Sequence, residues 1–448
     1  MDAPAAGALG GGVSRTAVAI AVCVAVAAPS ATQAGGFGIP EIGVRRTAMA
    51  SIIGRPDDPS AIYHNPAGLV LQHGWRLYIS AGLALLHTEF SLHTWDGSDR
   101  FISQQPGADG YYAPVKPSRA YGIVPMIAAT GEIIPDRLVL GVGAFVGNAQ
   151  GAAFDPHAVT HYHLIDGYVV APQAVVSAAY RLAPSLTLGA SVGVVNIRVH
   201  GQRDVFPIVD GGDASGVVGS SPRLVLDGSG WAPTWMLGAF GQPHPRVTWG
   251  ATLIGRVDAT LSGPVTVTYS ADAPTPGDKL EGTQTTQQLL PWAAMAGVNV
   301  DVTRHLEIGG ELRYWLYRQY KDQHTDITGI FLVRSLDTEK DYHDSQEVSG
   351  GVRVHDLAAV PGLELMGGMQ YDHSPAPPET ITLDSPSFSH LGVHSGARYA
   401  TGRYRFGASY VHYWYDVPTI TDSITSPPSN IHGSGSNNIF TLSVEATL

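Results

Sequence analysis

The chain has 448 residues, and only 14% of them are charged, against about 25% in a typical globular protein. Its formal net charge is −12 and it contains no basic run, which argues against a nucleic-acid-binding protein. No apolar run after the N-terminus approaches the roughly 18 residues that a membrane-spanning helix needs. The chain must therefore place its apolar surface in another way.

The N-terminus has the pattern of an export signal. Arg15 precedes an apolar run at 17–28, and Ala31 and Ala34 supply the small residues that a signal peptidase requires. The run is too short to span a membrane, so we predict that residues 1–34 are a cleaved signal peptide. Because the only cysteine, Cys23, lies in this run, the mature chain is expected to lack disulfides and cysteine metal sites.

The rest of the chain is a series of segments with apolar residues at every second position, which is the period of a β-strand with one apolar face. The clearest example is 305–320, where Leu306, Ile308 and Leu312 alternate with Glu307 and Glu311. Fourteen such segments are predicted: 75–93, 118–130, 137–149, 168–181, 185–201, 231–241, 246–262, 285–301, 305–320, 346–356, 362–373, 389–400, 403–415 and 437–448.

The connections between these segments alternate between long and short. Long connections, such as 94–117 and 202–230, alternate along the chain with short ones, such as 182–184 and 401–402. This alternation predicts an all-β fold, a transmembrane antiparallel β-barrel of about 14 strands with short periplasmic turns and long outer loops. A soluble β-sandwich or propeller also has strands of period two, but it does not require two classes of connection. Aromatic residues at segment ends fit the girdles of such a barrel: Trp75, Tyr78, Trp95, Trp231, Trp235, Trp414 and Tyr415.

The stretch at 57–69, DDPSAIYHNPAGL, precedes the first predicted strand. It contains two turn signals, DDPS and NPAG, around a short apolar run. By itself the stretch is compatible with a pair of surface turns. Its position between an export signal and fourteen paired strands favours a segment that folds inside the barrel.

Three parts of the chain resemble the FadL/TodX (OMPP1) family of outer-membrane transporters for hydrophobic compounds. The start of the mature chain, Gly35-Gly36-Phe37, together with the NPAG-type turn is similar to the family's N-terminal plug. The stretch at 371–400, which contains DHSPAPP, resembles a late hairpin of the family. The last strand runs to the final residue, as it does in the family.

The resemblance implies a hatch at 35–74 inside the lumen and a barrel at 75–448. The residues that it assigns to the hatch or gate are Gly35, Gly36, Phe37, Asp57, Asp58, Pro59, Asn65, Pro66, Ala67 and Gly68. It further implies passive, hatch-gated uptake of long-chain fatty acids or aromatic hydrocarbons, with lateral exit through the barrel wall. The protein would then be a monomer in the outer membrane of a Gram-negative bacterium, in contact with lipid and lipopolysaccharide.

In this family the lateral exit is associated with a kink in the third strand, which implies a role for Gly141, Gly143 and Gly147 in this chain. A local break in pairing there would also accommodate Pro125, because proline cannot donate to a strand ladder. Three further prolines in the predicted strands, Pro172, Pro233 and Pro291, are expected near a rim of the barrel.

Other constellations give weaker signals. Arg313 and Arg405 fall at lumen-facing positions, and either could bind the carboxylate of a fatty acid. The cluster Asp155, His157, His161, His163 and Asp166 has metal-like spacing, but such outer loops are usually solvated, so neither a metal nor a cofactor is predicted. No nucleophile-elbow motif stands out, so the chain is not expected to be an enzyme. A general aqueous porin or a surface adhesin on the same barrel stays open as an alternative.

Overall fold

The computed structural model describes residues 38–95, 102–183, 185–205, 221–270 and 275–448. The predicted signal peptide and the hatch residues Gly35, Gly36 and Phe37 lie outside these ranges. The described chain contains eighteen β-strands: β1 Trp75–Leu92, β2 Tyr121–Ile134, β3 Leu138–Ala153, β4 Asp166–Ala183, β5 Leu186–Asp204, β6 Arg223–His244, β7 Val247–Ile254, β8 Val257–Thr268, β9 Lys279–Leu290, β10 Ala293–Asp301, β11 Leu306–Trp315, β12 Asp322–Thr328, β13 Ser335–Glu339, β14 Ser345–Val354, β15 Leu363–Asp372, β16 Ser389–Thr401, β17 Tyr404–Asp416 and β18 Ile431–Thr447.

The strands bury their polar faces and expose their apolar ones. In β11, Ile308 and Leu312 are 45% and 46% exposed, whereas Glu307 and Arg313 are 0% and 1% exposed. A water-soluble sheet would show the reverse, because apolar surface avoids water. The alternation therefore identifies an outer surface that contacts lipid and an inner surface that lines a polar lumen.

The sheet closes on itself. β1 pairs antiparallel with both β2 and β18, and every other pairing in the ring is also antiparallel. Four of the fourteen spanning strands are interrupted, and each of them consists of two of the eighteen segments: β7 with β8, β9 with β10, β11 with β12 and β13 with β14. The predicted 14-stranded barrel is thus confirmed. Its outer ends are longer than predicted, since β6 begins at Arg223 and β18 at Ile431.

The interruptions mark a change in the character of the outer surface. Below them the outward side chains are apolar, as at Leu253 and Val298. Above them the outward side chains of β8 and β9 are polar, as at Asp258, Thr260 and Thr285. Since charged and polar groups are costly in lipid, the apolar band of the barrel ends close to the level of the interruptions.

The prolines lie at gaps in the strand ladders and not at the rim, so the expectation for three of them was wrong. Pro172 lies where the β4–β5 ladder skips two residues, between Val170 and Gln173. Pro233 lies within β6, opposite the β7–β8 interruption, and Pro291 separates β9 from β10. A wall with local ladder gaps accommodates residues that lack an N–H group.

Residues 38–74, here called the plug, lie inside the barrel. They form α1 (Val44–Met49), α2 (Ala61–His64) and a 3-10 helix (Pro66–Leu71). α1 contacts β14 to β18, whereas the 3-10 helix contacts β3 to β6 on the other side of the lumen. Two further 3-10 turns, Tyr317–Gln319 and Pro378–Thr380, lie in the outer part of the chain. None of the described helices is long and apolar enough to cross a bilayer.

Two of the aromatic residues predicted for the girdles of the barrel point inward instead. Tyr78 is 2% exposed, and its hydroxyl accepts a hydrogen bond from the backbone N–H of Val44 in the plug. Tyr415 packs against the side chains near Phe388 in the outer half of the lumen. Trp75, Trp231 and Trp414 are at least half exposed on the outer surface, as a girdle requires.

Candidate functional site: the plug, its anchors and a cavity against the wall

Glycines on the inner wall make room for the backbone of the plug. A Cβ atom at Gly189 or Gly238 would lie 2.3 Å from Ala67 N or Asn65 Oδ1, and one at Gly250 would lie 1.9 Å from the Ile53 carbonyl. Such contacts are too short for any side chain, so the plug backbone packs directly on β5, β6 and β7. The NPAG turn is therefore seated on a glycine surface.

Asn65 ties this turn to the wall. Its Nδ2 donates to the carbonyls of Ala239 in β6, at 2.9 Å, and of Ile53, at 3.2 Å. Its Oδ1 accepts from Ala67 N at 3.2 Å and so caps the 3-10 helix. Next to it, a Cβ at Gly68 would lie 2.0 Å from Pro56 Cγ. Both residues are fully enclosed, and their roles follow from close packing and local hydrogen bonds.

Ion pairs also connect the plug to the wall. Three arginines of the plug are paired with carboxylates on β10, β11 and β14, and the bond of Arg55 to Asp301 is bidentate, at 2.7 and 2.9 Å. The arginine partners are Arg45 with Glu307, Arg46 with Glu347, and Arg55 with both Asp301 and Glu307. Glu311 accepts two plug N–H groups, from Ile52 at 2.7 Å and from Ile53 at 2.8 Å.

At Asp57 the charges are reversed, because a carboxylate of the plug is paired with arginines of the wall. Both oxygens of Asp57 accept from Arg398 on β16 at 3.0 Å, and Arg353 on β14 donates to it at 2.9 Å. Burial opposes the charged form, but Arg398, Arg45 and Arg353 outweigh it and hold the pKa of Asp57 well below its usual range. Asp58 receives a weaker bond from Arg398, at 3.3 Å, and accepts from Ser60 N. The DDPS turn is thus an ionic anchor.

An apolar cavity lies between the plug and the wall. Counted together with its open mouth, it has a volume of about 760 Å³, much of which is open to solvent. Several aromatic and sulphur-containing side chains line it, and Arg313 is the charged group of the lining. The lining includes Ile62, Tyr63, Phe145, Trp235, Met236, Met295, Arg313, Trp315 and Tyr317.

Beside this cavity, the ladder between β2 and β3 is interrupted. The regular pairs end at Met126 with Phe145, and the next pair is the isolated bridge of Arg119 with Ala153. Residues 120–125 and 146–152, all within the described ranges, form no ladder pairs with each other. Gly147 is the extra residue of a bulge against β4. Pro125 is the first β2 residue beyond the last regular pair, so its missing N–H group leaves no bond unmade on that side.

The beginning of the described plug covers part of this free edge. Ile39 N donates to the Gly147 carbonyl at 3.0 Å, and Gly38 forms a bridge with Asn148. Tyr63 donates from its hydroxyl to the Ile39 carbonyl at 2.9 Å, and its ring lies edge-on to Phe145. Residues 38–39, here called the plug tip, therefore connect the cavity to the bulged strand.

The other glycines predicted to form the kink have a different role. Cβ atoms at Gly141 and Gly143 would lie 3.0 and 3.1 Å from the side chain of Ile62. These glycines give Ile62 of the plug space against β3. The bulge itself is at Gly147.

The two arginines predicted as carboxylate ligands occupy different places. Arg313 lines the cavity and is bound through Nε to Glu311 at 2.6 Å, while its buried Nη2 has no hydrogen-bond partner. Arg405 lies near the periplasmic end of β17, next to Glu445 at 3.2 Å. Only Arg313 is positioned to meet a molecule in the cavity.

Two groups of side chains in the described ranges have donors close enough for a metal ion. His73, Glu132 and Asp136 lie at the periplasmic edge, and Asp301, Glu307 and His355 form the second group. In the second group the guanidinium of Arg55 already neutralises the carboxylates. In the loop cluster predicted from spacing, His161 binds Asp204, Asp166 binds Arg119 and His163 packs near Ser429, so those groups have separate partners.

The sequence did not predict most of the ion pairs between the plug and the wall. The signal that was available was the pair Arg45-Arg46 in a chain that is poor in charge, together with carboxylates at lumen-facing positions of the predicted strands. Which charge meets which depends on barrel closure, since Arg398 and Asp57 are 341 residues apart. No local pattern reports such a pairing.

Comparison with known proteins gives a family and a fold. The family model for outer membrane protein transport proteins (OMPP1/FadL/TodX) matches residues 24–445. Among solved structures, a Pseudomonas aeruginosa FadL homologue is similar with a TM-score of 0.76 at 14% identity, covering 92% of this chain and 99% of that chain. The Pseudomonas putida toluene transporter TodX has a TM-score of 0.68 at 14% identity, and the Ralstonia pickettii toluene transporter TbuX has 0.64 at 16%.

For both toluene transporters the match covers 92% of this chain and 99% of the other. No curated protein matches the chain. At these identities the solved structures establish the fold, and the family match over nearly the whole chain establishes membership. The chain belongs to the outer membrane protein transport protein family (OMPP1/FadL/TodX) and is an outer-membrane β-barrel.

Proposed function

We propose that this protein is a passive, plug-gated channel for the uptake of hydrophobic compounds, either long-chain fatty acids or aromatic hydrocarbons, with lateral exit through the barrel wall. The observation that carries the proposal is the apolar cavity between plug and wall, which lies beside the β2–β3 interruption. The two similar toluene transporters and the FadL homologue make both ligand classes worth testing.

The arrangement suits a ligand that avoids water. Exposing apolar surface to water costs roughly 25 cal/mol per Å², so an aqueous pore is an unfavourable route for such a molecule. A path from an apolar cavity through a wall gap into the lipid avoids that exposure. The outward apolar surface around the gap, as at Ile123 and Val142, would receive the ligand.

The plug tip is the proposed gate. It covers the β3 edge through the Ile39–Gly147 bond, and Tyr63 holds it from the cavity side. A ligand that displaces Tyr63 from Ile39 weakens the support of the tip. Release of the tip then uncovers the gap while the ionic anchors hold the remainder of the plug.

Arg313 is the group proposed to receive a polar head. Its free Nη2 is buried in an apolar cavity, where an unpaired donor is costly. The carboxylate of a fatty acid would supply the missing acceptor. A purely aromatic hydrocarbon would leave this group unpaired, so we expect Arg313→Ala to weaken oleate binding and to leave toluene binding nearly unchanged.

The position of the plug argues against the alternatives. A general porin restricts its lumen with a folded external loop, whereas here residues 38–74 occupy the lumen and carry six charged side chains, most of them paired with the wall. An adhesin needs neither the cavity nor the gap. We likewise propose a transport function and no catalytic one, as is the case for members of the family.

The test begins with mass spectrometry of small molecules that copurify with the protein from native membranes. Uptake of labelled oleate and toluene is then measured in proteoliposomes, together with ion conductance in planar bilayers. We expect hydrophobic cargo, facilitated uptake and low conductance. High conductance without facilitated uptake would establish a porin instead.

Lateral exit has its own test, because residues 35–448 contain no cysteine. A Gly38→Cys/Asn148→Cys variant places two thiols at bridge partners, and a Cβ at Gly38 meets only Trp315, at 3.8 Å. Oxidation should pin the plug tip to β3 and suppress uptake, and reduction should restore it. Equal uptake in both states would rule out the tip as the gate.

A further inference from the structure

We infer that the wall has a second lateral opening, where β7 meets β8 and β9 meets β10, and that Trp235 and Trp292 close it. Apolar molecules dissolved in the outer leaflet would reach the cavity through it without displacement of the plug. The inference rests on the proposed function, because it adds an access route to the same cavity. Residues 255–256 and 291–292 are called the wall break below.

Two neighbouring ladders are interrupted at this height. Residues 230–235 of β6 lack ladder partners opposite 255–261, although one bond remains, from Gly255 N to the Trp235 carbonyl at 3.0 Å. The adjacent ladder joins β7 to β10 and β8 to β9, and it is interrupted at 255–256. Pro291 lies opposite this interruption and contributes no N–H group. The flanking pairs are Met236–Ile254, Ser229–Ser262, Ala293–Ile254 and Val257–Leu290.

Aromatic rings cover the break on its outer side. Trp235 lies four residues from Trp231 and two from Leu237, so it shares the outward face of β6 with these two exposed residues. A Cβ at Gly255 would lie 2.3 Å from the Trp235 indole, so the ring lies directly over the glycine. The Trp292 ring meets it edge-on, with centroids 5.2 Å apart and an interplanar angle of 80°. Side chains, and not a hydrogen-bonded ladder, therefore complete the barrier here.

The inner side of the break is the cavity itself. Trp235, Gly255 and Pro291 all line it, so a single layer separates the cavity from the surroundings of the barrel. The level is that of the outer edge of the apolar band, because the outward residues just above it are polar. The molecule that fits this route is apolar and partitions into the outer leaflet.

This opening differs in kind from the β2–β3 gap. At the β2–β3 gap the covering element is backbone of the plug tip, whereas at the wall break it is a pair of side chains. A change of rotamer at Trp235 is faster than a displacement of the plug. Loading through the break is therefore independent of the plug tip.

The experiment measures how fast a fluorescent long-chain fatty acid, dissolved in a bilayer that contains a nitroxide-labelled lipid quencher, enters the protein. Entry protects the probe from the quencher, a readout that does not depend on protein tryptophans. All variants carry the oxidised Gly38→Cys/Asn148→Cys crosslink. The variants are Trp235→Ala/Trp292→Ala, the conservative Trp235→Phe/Trp292→Phe, and the control Trp231→Ala, which removes an outward indole that is 69% exposed.

We expect the crosslinked parent to load the probe and the double alanine variant to load it about fivefold faster, since an edge-to-face aromatic pair is lost. The double phenylalanine variant should load at an intermediate rate, and Trp231→Ala should match the parent. Equal rates in the parent and both double variants would overturn the inference and leave the proposed function standing. If even the protein without the crosslink fails to load the probe, both are overturned.

Discussion

At the scale of single residues, the plug is held by groups whose geometry allows little change. Asn65 satisfies three backbone groups with one side chain, and Gly68 lies against Pro56 where no Cβ fits. The NPAG turn is therefore specified by sterics and by buried hydrogen bonds. Either constraint can be removed by one substitution.

We predict that Gly68→Val loosens the plug and raises ion leakage, because overpacking of an enclosed site typically costs about 1–3 kcal/mol. The matched control is Gly310→Val, where a Cβ would meet nothing within 4 Å. Conductance of single channels in planar bilayers measures the effect. Unchanged leakage in Gly68→Val would contradict the proposed role of the turn.

Asn65→Leu should act in the same direction, since it leaves the carbonyls of Ala239 and Ile53 without a donor. An unsatisfied buried group costs about 1–3 kcal/mol. Hydrogen exchange across residues 65–71 should become faster, and leakage should rise. A leucine variant with the exchange pattern of the wild type would show that these bonds do not hold the turn.

The anchor at Asp57 predicts a pH dependence. The pKa of its carboxyl is well below the usual range in the folded protein, so its stabilisation is complete above the unfolded value of about 3.9 and is lost as the pH falls below it. Leakage should therefore be similar at pH 7 and pH 5 and should rise in stronger acid. Asp57→Asn should leak at pH 7 and show a flatter response, and a rise that begins near neutral pH would point to another group.

At the scale of elements, the plug and the barrel are fastened by reciprocal charge. Plug arginines meet wall carboxylates, and wall arginines meet plug aspartates. At the buried interface between plug and wall each charge depends on its partner, since an unpaired buried charge is strongly unfavourable. The arrangement favours one orientation of the plug, because a rotation would separate these charges from their partners.

Arg398→Gln tests this fastening. It leaves Asp57 and Glu364 without their main partner, and loss of one member of a buried pair typically costs about 3–5 kcal/mol. Proteolysis or hydrogen exchange at residues 55–60 should increase several-fold. Arg403→Gln is the control, because the side chain of Arg403 is exposed and donates to the Tyr404 hydroxyl, away from the plug. An equal effect in both variants would argue against a specific anchor.

At the scale of the whole molecule, the barrel has its apolar side chains on the outer surface and its polar side chains inside. Large exposed apolar side chains are concentrated below the strand interruptions. Above the interruptions, the outward residues of β8 and β9 are polar. The same interruptions therefore mark the outer edge of the apolar band and leave gaps in the strand ladders of the wall. The outer edge of the apolar band, the cavity and the wall break are related through this one level.

An arginine scan would locate the band. Leu312→Arg, on the outer face of β11, should destabilise folding into vesicles by about 2–4 kcal/mol, whereas Thr285→Arg, above the interruptions, should cost about 0–1 kcal/mol. Denaturant titration of barrels folded in lipid measures both. Similar costs at the two positions would move the membrane boundary outward.

The sequence by itself determined the barrel, the number of its spanning strands and the presence of a turn-rich segment before them. Period-two alternation and connection length are local properties, and a side chain at Ile308 or Glu307 reports its own face. The family resemblance supplied the plug, and the bulge at Gly147 lies in the strand where the resemblance implied a kink.

Tertiary structure decided everything that depends on closure. Only a closed ring brings Arg398 to Asp57, sets Gly250 under Ile53 and places Trp235 over Gly255. It also moved three prolines from an expected rim into ladder gaps, because a gap between two strands is a property of the pair and not of either sequence. Contacts between residues hundreds of positions apart have no local signature, and it is these contacts that form the cavity, the anchors and the gaps in the wall.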